Sequence, residues 1–577
     1  MSFLRVWAPE AAKLEIEQLD RRLAMKRAEE GWWTSVEPVS FGVDYAFFID
    51  GEGPWPDPRS ASQPSGVHGP SRTVDHAVFR WSDQSWVAPT LDAAVIYELH
   101  VGTFTPVGTF TSTIERLDHL RDLGVTHVEL MPVAEFPGDR GWGYDGVDLY
   151  APHHSYGGPD GLKTLVDACH ARGLGVILDV VYNHFGPAGN YWSRFGPYLT
   201  QHYKTPWGEA VNLDGAGSDH VRRYFCDNAL IWLRAYHFDG LRLDAVHAIF
   251  DRSATHFLEQ LATEVAALGR ELGRNFVIIA ESDLNDPRLV RPSEAGGYEI
   301  DAQWSDDFHH ALHALLTGER EGYYRDFGKL DDLAKALQQA FVYDGRYSIY
   351  RNRRHGRSPT GLSGNRFICC TQNHDQVGNR ARGDRLAHLV SPGRLKIAAT
   401  MLLMSPFVPM LFQGEEWAAS TPFQYFTGHE DPDLARAVSE GRKREFAEIA
   451  QDANAVPDPQ SPGTFLSSKL DWSECSREPH RQMLEWYREL IALRRRTPAL
   501  TNGRMEEVEI YFDEAKQWFV MWRDPITVAF NLSGDRQRIE YPGKAGARLI
   551  MASRAGIVVG KGAIELPPDS IAILTDC

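Results

Sequence analysis

The stretch Gly240-Leu241-Arg242-Leu243-Asp244 is a short apolar strand that carries an arginine and ends on a carboxylate. Glu281 follows the apolar run Val277 to Ala280 in the same way, and Asp375 closely follows a shorter apolar run. A carboxylate at the end of a buried strand is costly to desolvate unless something pairs with it or uses it. Three such positions predict one shared pocket.

Short apolar strands alternate with amphipathic helices from Ala94 onward, which is the pattern of repeated β-α units. The predicted strands are 95–99, 125–131, 175–181 and runs near Leu241, Phe276, Asp301, Phe367 and Val408. The predicted helices include 114–123, 162–171, 221–236 and 482–493. Eight such strands predict a (β/α)8 TIM barrel of the α/β class.

The two ends of the chain have a different pattern from the middle. Residues 1–88 are rich in Pro, Gly and short alternating runs, which predicts an N-terminal β-sandwich. After Pro498 the period drops to two, with strands expected at 508–512, 518–522 and 526–530. We therefore expect three domains: the sandwich at 1–88, a catalytic barrel with insertions at 89–498, and a C-terminal antiparallel β-sandwich at 499–577.

The formal net charge of -18 argues against a nucleic acid or an anionic membrane as the main partner, and it suits a neutral ligand. The six cysteines show no C-x-x-C pattern, which favours free thiols in a reducing cytosol. The N-terminus lacks a basic leader before an apolar core, and the apolar stretch 397–412 is broken by two prolines. We therefore expect a cytoplasmic protein.

Active sites of such barrels collect at the C-terminal ends of the strands. Arg242 precedes Asp244 by two positions on one strand face, so its charge should lower the pKa of that carboxyl, as a nucleophile requires. Glu281 follows an apolar strand without an adjacent basic residue, so burial should raise its pKa, as a general acid requires. Two such carboxylates equip a site for glycoside hydrolysis. The simpler alternatives are a buried ion pair of Arg242 with Asp244, and core histidines at His184 and His374.

The strand-end motifs resemble the α-amylase superfamily of glycoside hydrolases. The matching stretches, in order, are Asp179 to His184, Gly240 to Asp244, Glu281, and Asn373 to Asp375. The resemblance implies that Asp244 is the nucleophile, Glu281 the general acid/base and Asp375 the transition-state stabiliser. It also implies that Tyr144 stacks on the sugar, with Arg242, His184 and His374 as hydrogen-bonding companions.

Within the superfamily the chain is similar to the maltooligosyltrehalose trehalohydrolases. The supporting stretches are 97–104, 280–287, 304–310 and 372–380. This resemblance implies cleavage of the α-1,4 bond next to a terminal trehalose, with maltooligosyltrehalose or a related α-glucan as the partner. Further residues fall in stretches that contact substrate in such enzymes: His247, Asp307, His309, Gln376 and Asn379.

Two alternatives to this hydrolase stay open from the sequence. A branching transferase would use the same carboxylates but a sugar hydroxyl as acceptor, and an inactive carbohydrate-binding relative would usually lack one carboxylate. A retaining mechanism predicts a separation of about 5–5.5 Å between the carboxyls of Asp244 and Glu281. Asn183 aligns with a residue that helps to bind calcium in secreted α-amylases, but no second ligand cluster is evident near it. We therefore expect no metal and no cofactor.

Overall fold

An antiparallel network of seven strands forms the N-terminal part of the chain in the computed structural model, which describes residues 1–19, 21–446, 456–541 and 547–576. The strands are β1 (Arg5–Trp7), β2 (Leu14–Gln18), β3 (Arg21–Arg27), β4 (Trp32–Ser35), β5 (Asp44–Ile49), β6 (Glu52–Trp55) and β7 (Ser71–Arg72). They pair in the order β1-β4-β3-β2-β5-β6, with β7 on β5. Leu14 and Ile16 are buried while the residue between them is partly exposed, so one face packs inward.

Fourteen strands follow between Ile96 and Phe412. They are β8 (Ile96–Leu99), β9 (His127–Leu130), β10 (Ala134–Glu135), β11 (Asp148–Pro152), β12 (Gly175–Val180), β13 (Leu199–Thr205), β14 (Gly208–Val211), β15 (Gly240–Leu243), β16 (Val277–Ala280), β17 (Ala302–Trp304), β18 (Asp344–Ser348), β19 (Arg353–Gly356), β20 (Phe367–Cys370) and β21 (Val408–Phe412). Eight of them form a closed parallel barrel in chain order: β8, β9, β12, β15, β16, β17, β20 and β21. The last strand pairs with the first, where Met410 lies opposite Ile96. The predicted (β/α)8 barrel is confirmed.

The helices lie between and after these strands. They are α1 (Val101–Phe104), α2 (Phe110–Ile114), α3 (Leu117–Leu123), α4 (Gly158–His170), α5 (Trp192–Phe195), α6 (Ser218–Ala235), α7 (Phe257–Leu272), α8 (Asp306–Thr317), α9 (Leu330–Gln339), α10 (His374–Gly378), α11 (Leu386–Leu389), α12 (Pro392–Met404), α13 (Pro432–Phe446), α14 (Pro462–Ser467) and α15 (His480–Arg496). The predicted helix 114–123 is wrong as one element, because the backbone tightens at Glu115 and Arg116, whose N–H groups donate three residues back.

Three two-stranded hairpins stand outside the barrel: β10 with β11, β13 with β14, and β18 with β19. The first two lie in segments that follow barrel strands β9 and β12, at the end of the barrel where active sites form. The third follows α9, and Arg351 on its turn bonds to Asp283 just after β16. Among the described residues, no helix is long and apolar enough to cross a membrane.

The C-terminal part is antiparallel. Its strands are β22 (Glu509–Asp513), β23 (Trp518–Arg523), β24 (Ile526–Asn531), β25 (Gln537–Glu540), β26 (Arg548–Ala552), β27 (Val558–Gly560), β28 (Ala563–Leu566) and β29 (Ser570–Thr575). They form a five-stranded sheet, β22-β23-β24-β29-β26, and a three-stranded sheet, β25-β28-β27. Val520 and Ala572 of the first share a buried cluster with Ile539 and Ile564 of the second, so the two sheets enclose one core.

Candidate active site

Alternation along the barrel strands places a charged layer beside an apolar layer in the interior. Ile96 and Ile177 belong to a buried apolar cluster inside the barrel. Glu98 and Asp179 follow them by two positions and therefore point the same way, one layer nearer the C-terminal ends. Arg242 lies beside Asp179 in the strand register. All three charged side chains are buried, so their charges need partners.

The Arg242 guanidinium is the centre of the charged layer. Its Nη1 donates to Oδ1 and Oδ2 of Asp179, at 2.9 Å each, and to Oδ1 of Asp244 at 2.8 Å. Its Nη2 lies 3.7 Å from Oε2 of Glu281. The guanidinium carbon stands 4.3 Å from the centre of the Trp304 ring. One fully buried cation therefore contacts three carboxylates and an aromatic face.

Asp244 is held in its ionised form by two neighbours. Asn183 Nδ2 donates to its Oδ2 at 2.7 Å and to its backbone carbonyl at 2.8 Å. Burial raises the pKa of Asp244, but the Arg242 charge, together with His184 and the Asn183 hydrogen bond, lowers it below its ordinary value. This is the direction expected from the sequence, and it leaves an unprotonated oxygen at the end of β15.

The pKa of Glu281 shifts in the opposite direction to that of Asp244. Burial, together with the negative charges of Asp244 and Asp375, raises its pKa to about 8 against the opposing effect of Arg242. The Ala245 N–H donates to its Oε2 at 2.5 Å. No basic residue is adjacent to Glu281 in the sequence, but strand pairing brings Arg242 to it from β15. The longer contact explains why the carboxyl nevertheless keeps its proton at neutral pH.

His374, at the start of α10, bonds to Glu98 and to Tyr144. Its Nδ1 lies 2.5 Å from Oε1 of Glu98, and its backbone N–H donates to Oε2 of the same carboxylate at 3.0 Å. Its Nε2 lies 2.7 Å from the Tyr144 hydroxyl, which donates to Oδ2 of Asp179 at 2.7 Å. Burial lowers the pKa of His374, but Asp375 and Glu98 raise it to about 9. The Tyr144 and His374 rings are stacked, 5.2 Å apart.

Asp375 is the most exposed of the three predicted catalytic carboxylates. Its side chain is 42% exposed, against 12% for Asp244 and 15% for Glu281. Asn379 Nδ2 donates to its Oδ1 at 3.1 Å, and the Gln376 amide oxygen accepts from Tyr323 at 3.3 Å. The predicted residues of this helix therefore stand at the open side of the charged layer.

His184 lies at the site with both ring nitrogens facing protein oxygens. Its Nε2 is 3.0 Å from the carbonyl oxygen of Tyr144, and its Nδ1 faces Oδ1 of Asn183. Trp207, 48% exposed on the turn between β13 and β14, stacks on the ring with centroids 4.6 Å apart. The structure thus adds an aromatic residue that the sequence did not single out, since its loop position carries no periodicity.

His247 lies at the edge of the site, where its Nδ1 accepts the Asp283 N–H at 3.4 Å. Asp283 also pairs with Arg351, whose Nη1 donates to Oδ2 at 2.8 Å. Arg351 comes from the turn between β18 and β19. This pair links the segment after Glu281 to a hairpin that the sequence reading did not place.

Two predicted substrate contacts, Asp307 and His309, are buried and bonded to neighbouring backbone. Asp307 Oδ2 accepts the backbone N–H groups of Val342 and Tyr343 at 2.6 and 2.8 Å, and the residue is 3% exposed. His309 Nδ1 lies 2.8 Å from the carbonyl oxygen of Thr371, and the residue is 1% exposed. These contacts show that both side chains hold neighbouring segments together.

Asp306 and Glu98 are carboxylates of the site that the sequence reading missed. Asp306 is the first residue of α8 and follows barrel strand β17. Burial raises its pKa to about 7, helped by the charges of Asp375 and Asp283. Asp306 could have been predicted from its position at the end of a strand. Glu98 could have been predicted because it lies two residues after Ile96 and therefore points to the same side of the strand.

Metal ligation finds weak support among the described residues. Asn183 is the position that aligns with a calcium ligand of secreted α-amylases. Its side-chain amide donates to Asp244, and its Oδ1 faces the His184 ring. Glu135, His153 and His154 bring three ligand atoms within 4.8 Å of one another. However, His153 Nδ1 accepts the Ser155 N–H at 3.1 Å, so its neutral ring carries the proton on Nε2, the atom that would have to bind the metal. We therefore assign no metal to this group.

The geometry gives one ionised carboxylate, one protonated carboxyl and one exposed carboxylate around a buried cation. A carboxylate that stays ionised can attack or support a cationic carbon, while a carboxyl that keeps its proton at neutral pH can donate it. This is the division of labour required for the hydrolysis of a glycosidic bond.

Comparisons with known proteins agree with this chemistry. Residues 63–206 match the family model of the α-amylase catalytic domain. The chain is 48% identical to the malto-oligosyltrehalose trehalohydrolase of Rhizobium sp. (strain M-11), across 99% of this chain and 97% of that protein. The Arthrobacter ramosus enzyme of the same name is 51% identical, across 97% and 96%.

A crystal structure of a Salmonella typhimurium protein, provisionally named an α-amylase, has the same architecture. The TM-score is 0.91 at 39% identity, across 100% of this chain and 97% of that one. Together with the two relatives above, this similarity extends over the barrel and both flanking β regions. The chain belongs to the malto-oligosyltrehalose trehalohydrolase family of the α-amylase superfamily.

Proposed function

We propose that this protein hydrolyses the α-1,4-glucosidic bond next to the terminal trehalose of maltooligosyltrehalose, releasing trehalose and a shorter maltooligosaccharide. The observation that carries the proposal is the opposite protonation of Asp244 and Glu281 beside one arginine. The full-length relatives named as trehalohydrolases favour this hydrolase over a branching transferase.

The reaction proceeds in two displacements. In the first, an Asp244 oxygen attacks the anomeric carbon while Glu281 gives its proton to the departing oxygen of trehalose, which leaves a glycosyl ester on Asp244. In the second, Glu281 takes a proton from water, and the hydroxide oxygen displaces Asp244 from the anomeric carbon. The enzyme returns to its starting protonation state, and the anomeric configuration is retained.

The remaining residues bind and orient the sugar. Asp375 accepts hydrogen bonds from sugar hydroxyls and stabilises the positive charge of the transition state. Tyr144 stacks on the sugar at the cleavage position, and Arg242, His184 and His374 fix the surrounding oxygens. His247, Gln376 and Asn379 contact substrate further out, as their places at the edge of the site support.

We also propose a division into three domains with boundaries near residues 88 and 498. The first boundary is supported by the gap between β7 and β8, and the second by the gap between α15 and β22. A cytoplasmic location and an α-glucan as the partner, without a nucleic acid, accord with the charge of -18 and with the reaction. No step requires a cofactor.

The test uses maltotriosyl-trehalose with wild-type protein and the Asp244→Asn variant. We expect trehalose and maltotriose as equimolar products of the wild type, with the new reducing end first formed as the α-anomer in proton NMR spectra. Amylose serves as the comparison substrate. New α-1,6 branches in amylose without any trehalose from the first substrate would favour the transferase instead.

A further inference from the structure

The Glu98 carboxylate clamps His374 from two sides. One oxygen contacts the ring at Nδ1 and the other accepts the backbone N–H of the same residue, at 2.5 and 3.0 Å. Both residues are 1% exposed, and they lie 276 positions apart in the chain. A contact to the ring together with one to the backbone fixes the ring's orientation and determines which nitrogen carries a proton.

The far side of the ring shows how many protons it holds. The Tyr144 hydroxyl has a single proton, which it donates to Asp179, so it accepts a hydrogen bond from His374 Nε2. Nε2 therefore carries a proton. Glu98 Oε2 accepts the backbone N–H, and Oε1 lies 2.5 Å from Nδ1 as an acceptor of the ring's other proton. The ring is doubly protonated in this arrangement.

We propose that Glu98 is a positioning residue of this site, one that holds His374 as an imidazolium and aims its Nε2–H toward Tyr144 and toward the sugar hydroxyl bound beside Asp375. The inference rests on the proposed function, since the sugar is the ligand of that reaction. The open direction is marked by Asp375, whose Oδ2 lies 3.5 Å from His374 Nε2. A charged donor binds a hydroxyl oxygen more strongly than a neutral one does.

Charged and titratable groups face His374 from the surrounding elements. They are Glu98 of β8, Glu129 of β9, His100 after β8, Tyr144, Asp179 of β12, Arg242 of β15 and Asp375 of α10. Arg242 lowers the pKa of His374, whereas Asp375 and Glu98 raise it. Glu98 is the member of this group that bonds to the ring and the backbone of His374 together.

Glu98→Gln is the informative change. The glutamine oxygen can still accept the backbone N–H of His374, but its amide must donate to Nδ1, which leaves the ring with one proton. Glu98→Asp restores the negative charge. Glu129→Gln is the matched control, because Glu129 lies beside Glu98 in the register and is buried, and neither of its oxygens has a hydrogen-bond partner within the described residues.

The experiment titrates His374 by nitrogen-15 NMR, assigned by comparison with His374→Gln, and measures kcat and KM for trehalose release across pH. For Glu98→Gln we expect the titration midpoint of His374 to fall by about 1 to 3 pH units. We expect kcat to fall about 100-fold at neutral pH, as when one oriented donor is lost, with a smaller change in KM. Glu98→Asp recovers part of both losses, and Glu129→Gln resembles the wild type.

A wild-type titration of His374 in folded Glu98→Gln protein would overturn the inference, and so would an equal shift in Glu129→Gln. Circular dichroism and thermal melting establish that each variant is folded. Wild-type protein that releases no trehalose would overturn the proposed function instead, and the NMR titration would still report on the Glu98–His374 pair in that case.

Discussion

Arg242 contacts Asp244 at 2.8 Å through Nη1 and Glu281 at 3.7 Å through Nη2. The shorter contact is a charge-assisted hydrogen bond, and the longer one is not. One cation thus lowers the pKa of the first carboxyl decisively while burial still raises the pKa of the second. The unequal distances therefore help to keep Asp244 ionised, as a nucleophile requires, and Glu281 protonated, as an acid requires.

The dependence of kcat/KM on pH should be a broad bell. Activity needs Asp244 ionised, and its pKa is lowered, so the acidic limb lies below the ordinary value of 3.8. Activity also needs Glu281 protonated, so it is lost as pH rises through about 8. Initial rates of trehalose release across pH give both limbs. With an α-maltosyl fluoride donor, whose fluoride leaves without a proton, the pH profile should lose its basic limb.

Asp306→Asn should move the basic limb to lower pH. The Asp306 charge raises the pKa of Glu281, although it is the smallest of the named causes. Without it, Glu281 releases its proton at a lower pH, so the shift is downward and small. Asp307→Asn is the matched control, since that neighbour binds backbone N–H groups away from the acid. Equal shifts in both variants would contradict the assignment of Asp306 to the site.

Asp307→Ala should reduce stability without changing KM. The substitution leaves the N–H groups of Val342 and Tyr343 without their acceptor in a buried place, and each such loss costs about 1–3 kcal/mol. Chemical denaturation measures the change in the free energy of unfolding. A raised KM with unchanged stability would restore Asp307 to the substrate contacts.

Arg242→Met should destabilise the protein and abolish activity together. Removing the cation leaves the buried carboxylates of Asp179 and Asp244 without their positive partner. Breaking a buried ion pair in this way costs about 3–5 kcal/mol. Arg242→Lys keeps the charge but cannot span three carboxylates with a planar fork, so it should retain more stability than activity. Melting curves and rates on the same samples separate the two effects, and full activity in the lysine variant would refute the central role of the guanidinium.

Asp244→Asn should bind maltooligosyltrehalose while losing turnover by about 10⁴-fold or more, as loss of a nucleophile does in other enzymes. Isothermal titration measures binding and product analysis measures turnover. Turnover near the wild-type rate would exclude Asp244 as the nucleophile. Wild-type protein that binds the substrate without turning it over would support the inactive carbohydrate-binding relative.

Periodicity along single strands was enough to predict the barrel and the ends of its strands, since burial follows spacing in the sequence. The opposite pKa shifts of Asp244 and Glu281 could be predicted because each depends on neighbours within the same strand. The contact of Arg242 with Glu281 could not, because it depends on strand register. Asp306 and Asp307 show another limit: successive residues on a helix point about 100° apart, so one can face the site while the next packs inward.

The closure of the barrel also determines when the protein can complete its folding during synthesis on the ribosome. Met410 of the last strand completes the ring beside Ile96 of the first. Until that late segment emerges, the first strand has an unpaired edge, which is a template for aggregation, and the distant pairing must overcome the entropy of a long loop. Chains released before β21 should therefore need protection by chaperones.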